Sequence, residues 1–305
     1  MEKNERRDFE FALFFMLLYC IALSFYGLFS KLGLTLESIY VFLFSRYFLA
    51  LILALPVLFA IRSFREIQVF KDLRPQVVRS IVMIVAQYFF FSYLTKNSLL
   101  NATVLYNTGP LFIPIILGVF YKQPFGKRVW MSIGISFIGV LFILRPDKEI
   151  FNIYSLYGVL SGFCMGLSKV LFGNQAKQMS ISLTLFYVLF LCSIVSAIPM
   201  LLVDGLYRGD LGTLTRDLLY GGWLQWVFVG GVALSIILTQ LLQGAAYQLA
   251  SAERLSPFIY AVVIFSAFFD WWIYKNPPDV FAVIGTLLVV GGGLLEWYFC
   301  KKPPS

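Results

Sequence analysis

Residues 101–144 read NATVLYNTGPLFIPIILGVFYKQPFGKRVWMSIGISFIGVLFIL, two apolar runs joined by a turn that holds a proline and three basic residues. Each run has about 20 residues, which is enough to cross a hydrocarbon core of roughly 30 Å as a helix. A similar arrangement returns in residues 252–295, AERLSPFIYAVVIFSAFFDWWIYKNPPDVFAVIGTLLVVGGGLL. There Ile284-Gly285 matches Ile133-Gly134 at an offset of 151 residues (284 − 133). The chain therefore contains a duplicated unit.

The composition is that of a membrane protein. Hydrophobic residues make up 60% of the chain, aromatic residues 18% and charged residues 13%, whereas soluble domains carry about 25% charged residues. Histidine, the commonest acid–base catalyst and metal ligand, is absent from the sequence. The four cysteines lie within or at the end of apolar runs and form no CxxC pair. We therefore predict no metal site, no disulfide framework and no cofactor.

Ten apolar runs predict an all-α, polytopic membrane protein with ten transmembrane helices. The first run is too long for a signal-peptide core and lacks a cleavage site of small residues, so we count it as a span. The predicted spans cover about residues 9–31, 38–61, 77–95, 102–121, 129–144, 154–173, 183–203, 223–250, 255–274 and 280–299.

The distribution of lysine and arginine predicts the orientation. With the N-terminus in the cytoplasm, the inner segments hold 15 of the 24 basic residues, the outer loops hold 6 and the spans hold 3. Short cytoplasmic loops carry such an excess of basic residues. We therefore expect a protein of the cell (inner) membrane with both termini on the cytoplasmic side. This asymmetry also explains the net charge of +8 without a nucleic-acid partner.

The repeat extends through each half of the chain. Ser30-Lys31 late in the first span matches Ser168-Lys169 late in the sixth, and Pro56, which closes the second span, matches Pro199, which closes the seventh. Each half has five spans, so the second half must enter the membrane in the opposite orientation. The predicted division is a cytoplasmic segment 1–8, a first repeat 9–146, a second repeat 147–300 and a cytoplasmic tail 301–305.

An inverted repeat indicates a carrier. Two similar halves around a pseudo-two-fold axis in the membrane plane let one central site face first one side and then the other. An intramembrane enzyme would need a nucleophile with its base, and the sequence offers no such spacing, so we predict no enzymatic activity. The alternative class is a lipid scramblase or flippase-like protein, with a hydrophilic groove open to lipid.

Several motifs recur in the same order in the two halves. They are SRYFLA (45–50) to Pro56, ATVLYNTGP (102–110) and Gly134 to Gly139, then ASA (250–252), SPFIY (256–260), Asp270-Trp271, Pro277-Pro278 and Gly285 to Gly292. In these motifs the chain resembles the drug/metabolite transporter superfamily, specifically proteins built from two EamA-like domains. The resemblance implies a central cavity lined by the first four helices of each half. It also implies a small polar or amphipathic substrate, such as an amino acid or a related compound.

Arg46 lies deep in the second predicted span. It is about eight residues from the start, roughly 12 Å into the membrane at 1.5 Å per residue. A cation at that depth usually faces a cavity or a partner. The repeat places the apolar Leu189 at the equivalent position, so the scaffold itself does not require a charge there. Arg46 then either binds a substrate carboxylate or phosphate, or forms a structural ion pair, with Asp270 as the candidate partner.

Uncharged polar and aromatic residues in mid-span are the other candidates for a substrate site. Such side chains can orient a ligand by hydrogen bonds, and as a set they form the expected lining of a central cavity. Taken singly, each can instead join two helices, which contributes about 0.6 kcal/mol. These candidates are Gln87, Tyr88, Tyr106, Asn107, Gln240, Gln243, Tyr247 and Tyr260.

Lys31, Lys169 and Asp270 are candidates for gating or coupling. The two lysines recur under the repeat, so each could serve one gate; alternatively, each side chain extends to the lipid headgroups or packs at the end of its helix. Asp270 precedes Trp271 and Trp272. It is either a proton- or cation-sensitive group beside a vestibule or an incidental acid in an aromatic girdle.

Gly158, Gly162 and Gly166 lie one helical turn apart in the sixth span. A series of small residues at this spacing lets two transmembrane helices approach closely. We therefore predict that this face packs against a neighbouring helix.

Overall fold

The computed structural model describes residues 2–34, 38–60, 74–120, 122, 126–144, 153–173, 180–207, 222–249, 255, 258–259, 261–275 and 277–300. Within these ranges the regular structure is helical. The helices are α1 Glu2–Gly33, α2 Ile39–Ala60, α3 Arg74–Leu94, α4 Leu99–Tyr106, α5 Gly109–Phe120, α6 Lys127–Leu144, α7 Ile153–Gly173, α8 Ile181–Pro199, α9 Trp223–Leu249, α10 Ala261–Tyr274 and α11 Val280–Cys300.

These helices account for each of the ten predicted spans. Helices α4 and α5 together form the fourth span, and each other span corresponds to one helix. Among the described residues, six spans are long and apolar enough to cross a bilayer, and parts of α6, α10 and α11 are shorter apolar helices. The prediction of an all-α, polytopic membrane protein is confirmed.

The fourth span is broken, although the sequence predicted one continuous helix. Helix α4 ends at Asn107, whose backbone (φ −83°, ψ 6°) leaves the helical region. The Asn107 side-chain amide donates to Thr103 O (2.8 Å), and the Thr108 hydroxyl donates to Leu105 O (2.6 Å). Helix α5 then starts at Gly109 with Pro110 in its first turn, where proline is favoured because no N–H partner is needed. These groups satisfy the freed backbone within the protein, as a membrane interior requires.

The two prolines that we expected to close spans do not end them. Helix α2 continues beyond Pro56 to Ala60. Helix α8 includes Pro199, and a π-helix, Met200–Tyr207, continues the same span. Proline has no N–H and disrupts the α-helical ladder, and the wider turn that follows Pro199 accommodates this disruption.

Equivalent helices of the two halves make equivalent contacts. Helix α1 packs along α9, and their repeat counterparts, α7 and α3, also pack along each other. Helix α2 contacts α8, and α6 contacts α11, so these helices meet their own counterparts. A helix that touches its own counterpart lies beside the pseudo-two-fold axis. The α2–α8 and α6–α11 contacts therefore both lie along this axis.

The glycine face of α7 packs against the broken fourth span. A Cβ atom on Gly162 would lie 2.5 Å from the backbone oxygen of Leu105, and one on Gly158 would lie 2.5 Å from the Leu105 side chain. A Cβ atom on Gly166 would collide with the backbone oxygen of Gly109. The predicted close packing of this face is confirmed, and it fixes the position of the fourth span.

Candidate functional site

Arg46 lies at the centre of a buried polar cluster. It is on α2, has no exposed surface, and donates from Nη1 to the hydroxyl of Tyr26 on α1 (2.5 Å). Its Nη2 donates to Oε1 of Gln87 on α3. The same Gln87 oxygen accepts a hydrogen bond from the Tyr47 hydroxyl (2.9 Å). Three helices of the first half therefore hold one guanidinium through neutral groups.

Four aromatic rings surround the Arg46 guanidinium. The distances from its Cζ atom to the ring centroids are 4.5 Å for Phe91, 4.8 Å for Tyr47, 5.5 Å for Tyr26 and 5.8 Å for Phe42. A cation over a ring face is attracted by about 0.5–2 kcal/mol, more when it is desolvated. This aromatic cage offsets part of the desolvation of the charge.

The charge of Arg46 has no anionic partner among the described residues. No described carboxylate lies within 4.0 Å of it, and its Nε has no hydrogen-bond acceptor. An unpaired charge buried in a protein costs several kcal/mol. The suggested ion pair between Arg46 and Asp270 is wrong, because the Asp270 carboxylate is bound elsewhere.

Asp270 forms an ion pair with Lys31. Lys31 Nζ, at the end of α1, lies 3.2 Å from Asp270 Oδ1 on α10, and the aspartate is 1% exposed. Asp270 also accepts the backbone N–H groups of Leu99 (3.2 Å) and Leu100 (2.6 Å), the first residues of α4. A carboxylate at the positive end of a helix is stabilised by its dipole and its free N–H groups. We call this group of contacts, Lys31, Asp270, Leu99 and Leu100, the latch.

The latch is the end of a longer seam between α1 and α10. Cys20 Sγ donates to Phe258 O (3.3 Å), and the Ser24 hydroxyl donates to Val262 O (3.2 Å). Lys31 Nζ also lies 4.1 Å from the centroid of the Tyr274 ring. The Lys31 side chain is engaged within the protein, so the alternative in which it extends to the headgroups is wrong. The seam joins the first half to the second.

The other predicted site residues divide into two groups. Tyr106 joins the Arg46 cluster, because its hydroxyl lies near Gln87 and Arg46 and its ring packs on Phe90 at 5.0 Å. Tyr88 stays outside it, with its hydroxyl 3.2 Å from that of Tyr40. The Asn107 side-chain amide is hydrogen-bonded to Thr103 O at the break in the fourth span. The structure therefore brings together Arg46, Gln87 and Tyr106.

Of the site residues predicted in the second half, only some have side chains that the structure describes. Gln240 and Gln243 are partly buried on α9. The side chain of Tyr247 and the whole of Tyr260 lie outside the described residues. Lys169 is on α7, close enough to Cys20 to interact electrostatically, and no carboxylate in the described part of the chain pairs with it. Lys31 and Lys169 are therefore equivalent in sequence and different in their contacts.

Two residues near the cluster were missed by the sequence analysis. Arg79 was counted among the cytoplasmic cations, but α3 begins at Arg74 and the arginine is 6% exposed. Cys192 of α8 is fully buried and lies near Tyr47, Ser80 and both arginines. The spacing of Arg79, Met83 and Gln87, one helical turn apart, was the signal that could have placed Arg79 on the buried face of α3.

Comparison with known proteins gives one family across nearly the whole chain. The sequence profile of the EamA-like transporter family matches twice, at residues 10–145 and 152–297. A superposition on a solved crystal structure covers 95% of this chain and 99% of that chain, with a TM-score of 0.57 and 15% sequence identity. That likeness shows the fold alone.

Several relatives of known function are small-molecule transporters. The S-adenosylmethionine uptake transporter of Rickettsia felis is 28% identical over 90% of this chain and 87% of its own length. A riboflavin transporter of Brucella anthropi is 24% identical over 82% and 85%, and a pseudopaline exporter of Pseudomonas aeruginosa is 22% identical over 66% of each chain. These relatives are transporters rather than enzymes, and they include both uptake and export.

Proposed function

The chain belongs to the EamA-like transporter family, and we propose that it is a secondary-active carrier that moves a small polar or amphipathic metabolite by alternating access. The first repeat then covers residues 9–146 and the second 147–300, with both termini in the cytoplasm. Amino acids and related compounds are the proposed substrate class. The sequence contains no nucleotide-binding loop, so a membrane gradient or exchange supplies the energy.

The contact pattern between the two halves is the observation that carries this proposal. The repeat makes the α1–α9 pair equivalent to the α7–α3 pair. Equivalent contacts can therefore close either side of the central cluster. Inverted repeats use this equivalence to alternate between two conformations of similar energy.

The latch supports the proposal because only one of the two equivalent lysines is paired. Lys31 is bound to Asp270 at the end of α1, which the proposed orientation places on the outer side. Lys169, its counterpart, has no described carboxylate partner. In the proposed cycle the latch closes the outer side in this conformation and breaks when that side opens.

Crosslinking the latch tests the proposed cycle. In a cysteine-depleted protein reconstituted in liposomes, we expect a Lys31→Cys/Asp270→Cys variant, joined by a short crosslinker that forms a reducible disulfide with each thiol, to lose uptake of a substrate identified among labelled amino acids, S-adenosylmethionine and riboflavin. Reduction should restore uptake, and each single-cysteine variant should be insensitive to the crosslinker. Undiminished uptake by the crosslinked protein would contradict alternating access. Lipid scrambling without uptake of any metabolite would instead support the scramblase alternative.

A further inference from the structure

We propose that Arg46 binds the carboxylate of the transported metabolite, and that the substrates are small monocarboxylates with an apolar or aromatic body. This inference rests on the proposed carrier function and specifies the chemistry of its central site. It follows from the contacts of Arg46, from its place between the two halves and from its surroundings.

The contacts of Arg46 are incomplete in a way that a carboxylate would complete. A guanidinium has five N–H donors in a fixed fork. In the described structure Nη1 and Nη2 donate to neutral oxygens of Tyr26 and Gln87, and Nε has no acceptor. A carboxylate can accept two parallel hydrogen bonds from this fork and supplies the missing negative charge.

The position of Arg46 fits a site that both sides of the membrane reach in turn. Its helix, α2, meets its own counterpart α8 at the pseudo-two-fold axis, and Cys192 of α8 lies within its electrostatic field. Carriers of this architecture place substrate sites near the midplane at the interface of the repeats. The equivalent residue in the second half, Leu189, is buried and apolar, so the site has a single charged end.

The surroundings of Arg46 select among anions. One guanidinium neutralises one carboxylate, whereas a doubly charged phosphate would leave a net negative charge in a membrane interior, which is costly. The rings of Phe42, Phe91 and Tyr47 offer the apolar part of a ligand a matching surface.

Ligand-dependent thermal unfolding of the purified full-length protein in detergent tests this inference. The probes are phenylacetate, its neutral amide phenylacetamide and the dianion phenylphosphonate. We expect phenylacetate to raise the Tm in a dose-dependent way, because a ligand of the folded state stabilises it. The amide and the phosphonate should have little effect at equal concentrations.

Two substitutions separate binding from a structural role. Arg46→Met should raise the Kd for phenylacetate about tenfold or more, because it removes charge-assisted hydrogen bonds. The ligand-free Tm should stay equal or rise, since a buried charge without a counter-ion is replaced by an apolar chain. Arg46→Lys keeps the charge but loses the planar fork, so it should also weaken binding. Lys127→Met removes an exposed cation instead and should leave the phenylacetate response unchanged.

The inference is overturned by any of three results. These are a wild-type protein that does not respond to phenylacetate, one that responds equally to phenylacetamide or phenylphosphonate, and Arg46 variants that keep the wild-type affinity. If Arg46→Met fails to fold, the affinity of Arg46→Lys decides. Binding is measured without transport, so a protein that binds phenylacetate through Arg46 but carries no metabolite in liposomes contradicts the carrier function alone.

Discussion

Asp270 joins three helices from the two halves of the protein, so its charge can be tested by a single isosteric change. In Asp270→Asn, Lys31 loses its counter-ion while the side chain keeps one oxygen for the N–H groups of Leu99 and Leu100. Removing one member of a buried ion pair costs about 3–5 kcal/mol. Because the Lys31 side chain is 18% exposed, we expect the lower part of that range, measured as a lower Tm in detergent.

A matched control is available at another carboxylate that caps a helix. Asp279 Oδ1 accepts the N–H of Ala282 (2.7 Å) at the start of α11. Asparagine is an equally good N-cap residue, so Asp279→Asn should change the Tm little. In the double variant Lys31→Met/Asp270→Asn, part of the lost stability should return, because no unpaired ammonium remains. Equal losses in Asp270→Asn and Asp279→Asn would show that the ion pair contributes nothing.

The residues of the latch and of the cluster were only partly predictable from the sequence. Lys31, Asp270 and Arg46 were selected because charges are rare in membrane spans. The pairing was not predictable, since Lys31 and Asp270 are 239 residues apart and apolar runs do not fix the relative register of two helices. Arg79 was counted with the cytoplasmic basic residues, although it lies in the first turn of the predicted span 77–95, because hydropathy alone places a helix boundary only to within a turn.

At the scale of elements, the glycine face of α7 makes the clearest prediction. We expect Gly162→Ala to lower the Tm, because the new Cβ atom would lie 2.5 Å from the rigid backbone oxygen of Leu105. The effect should exceed the gain of about 0.5–1 kcal/mol that alanine brings to a helix interior. Gly230→Ala on α9 is the control. Nothing lies within 4 Å of its added Cβ atom, so this variant should be as stable as the wild type or more stable.

The sequence predicted the number and type of elements better than their interruptions. Length and hydropathy suffice to identify spans, because a bilayer demands about 20 apolar residues for each helix. The break between α4 and α5 was missed, although Gly109-Pro110 is a common start of a helix. Its hydrogen bonds come from Asn107 and Thr108. Asn107 had been considered only as a ligand or as a link between helices, and Thr108 had been given no role.

At the scale of the whole molecule, the repeat was predictable because similar segments recur in the two halves of the sequence. The match of one family profile to residues 10–145 and 152–297 agrees with two copies. The α2–α8 contact was not foreseen, because a repeat fixes which helices are equivalent and not which ones touch. That contact brings the helix that carries Arg46 against the second half.

Inversion of the repeat makes a prediction about equivalent positions on opposite faces of the membrane. Lys127 starts α6 and Pro278 lies two residues before α11, and they are equivalent at the offset of 151 residues; both are exposed. In a cysteine-depleted protein in intact cells, a membrane-impermeant maleimide should label Pro278→Cys and spare Lys127→Cys. After the membrane is permeabilised, both should react. Labelling of both positions from one side would contradict an inverted repeat, whereas the reverse pattern would preserve the inversion and place both termini outside.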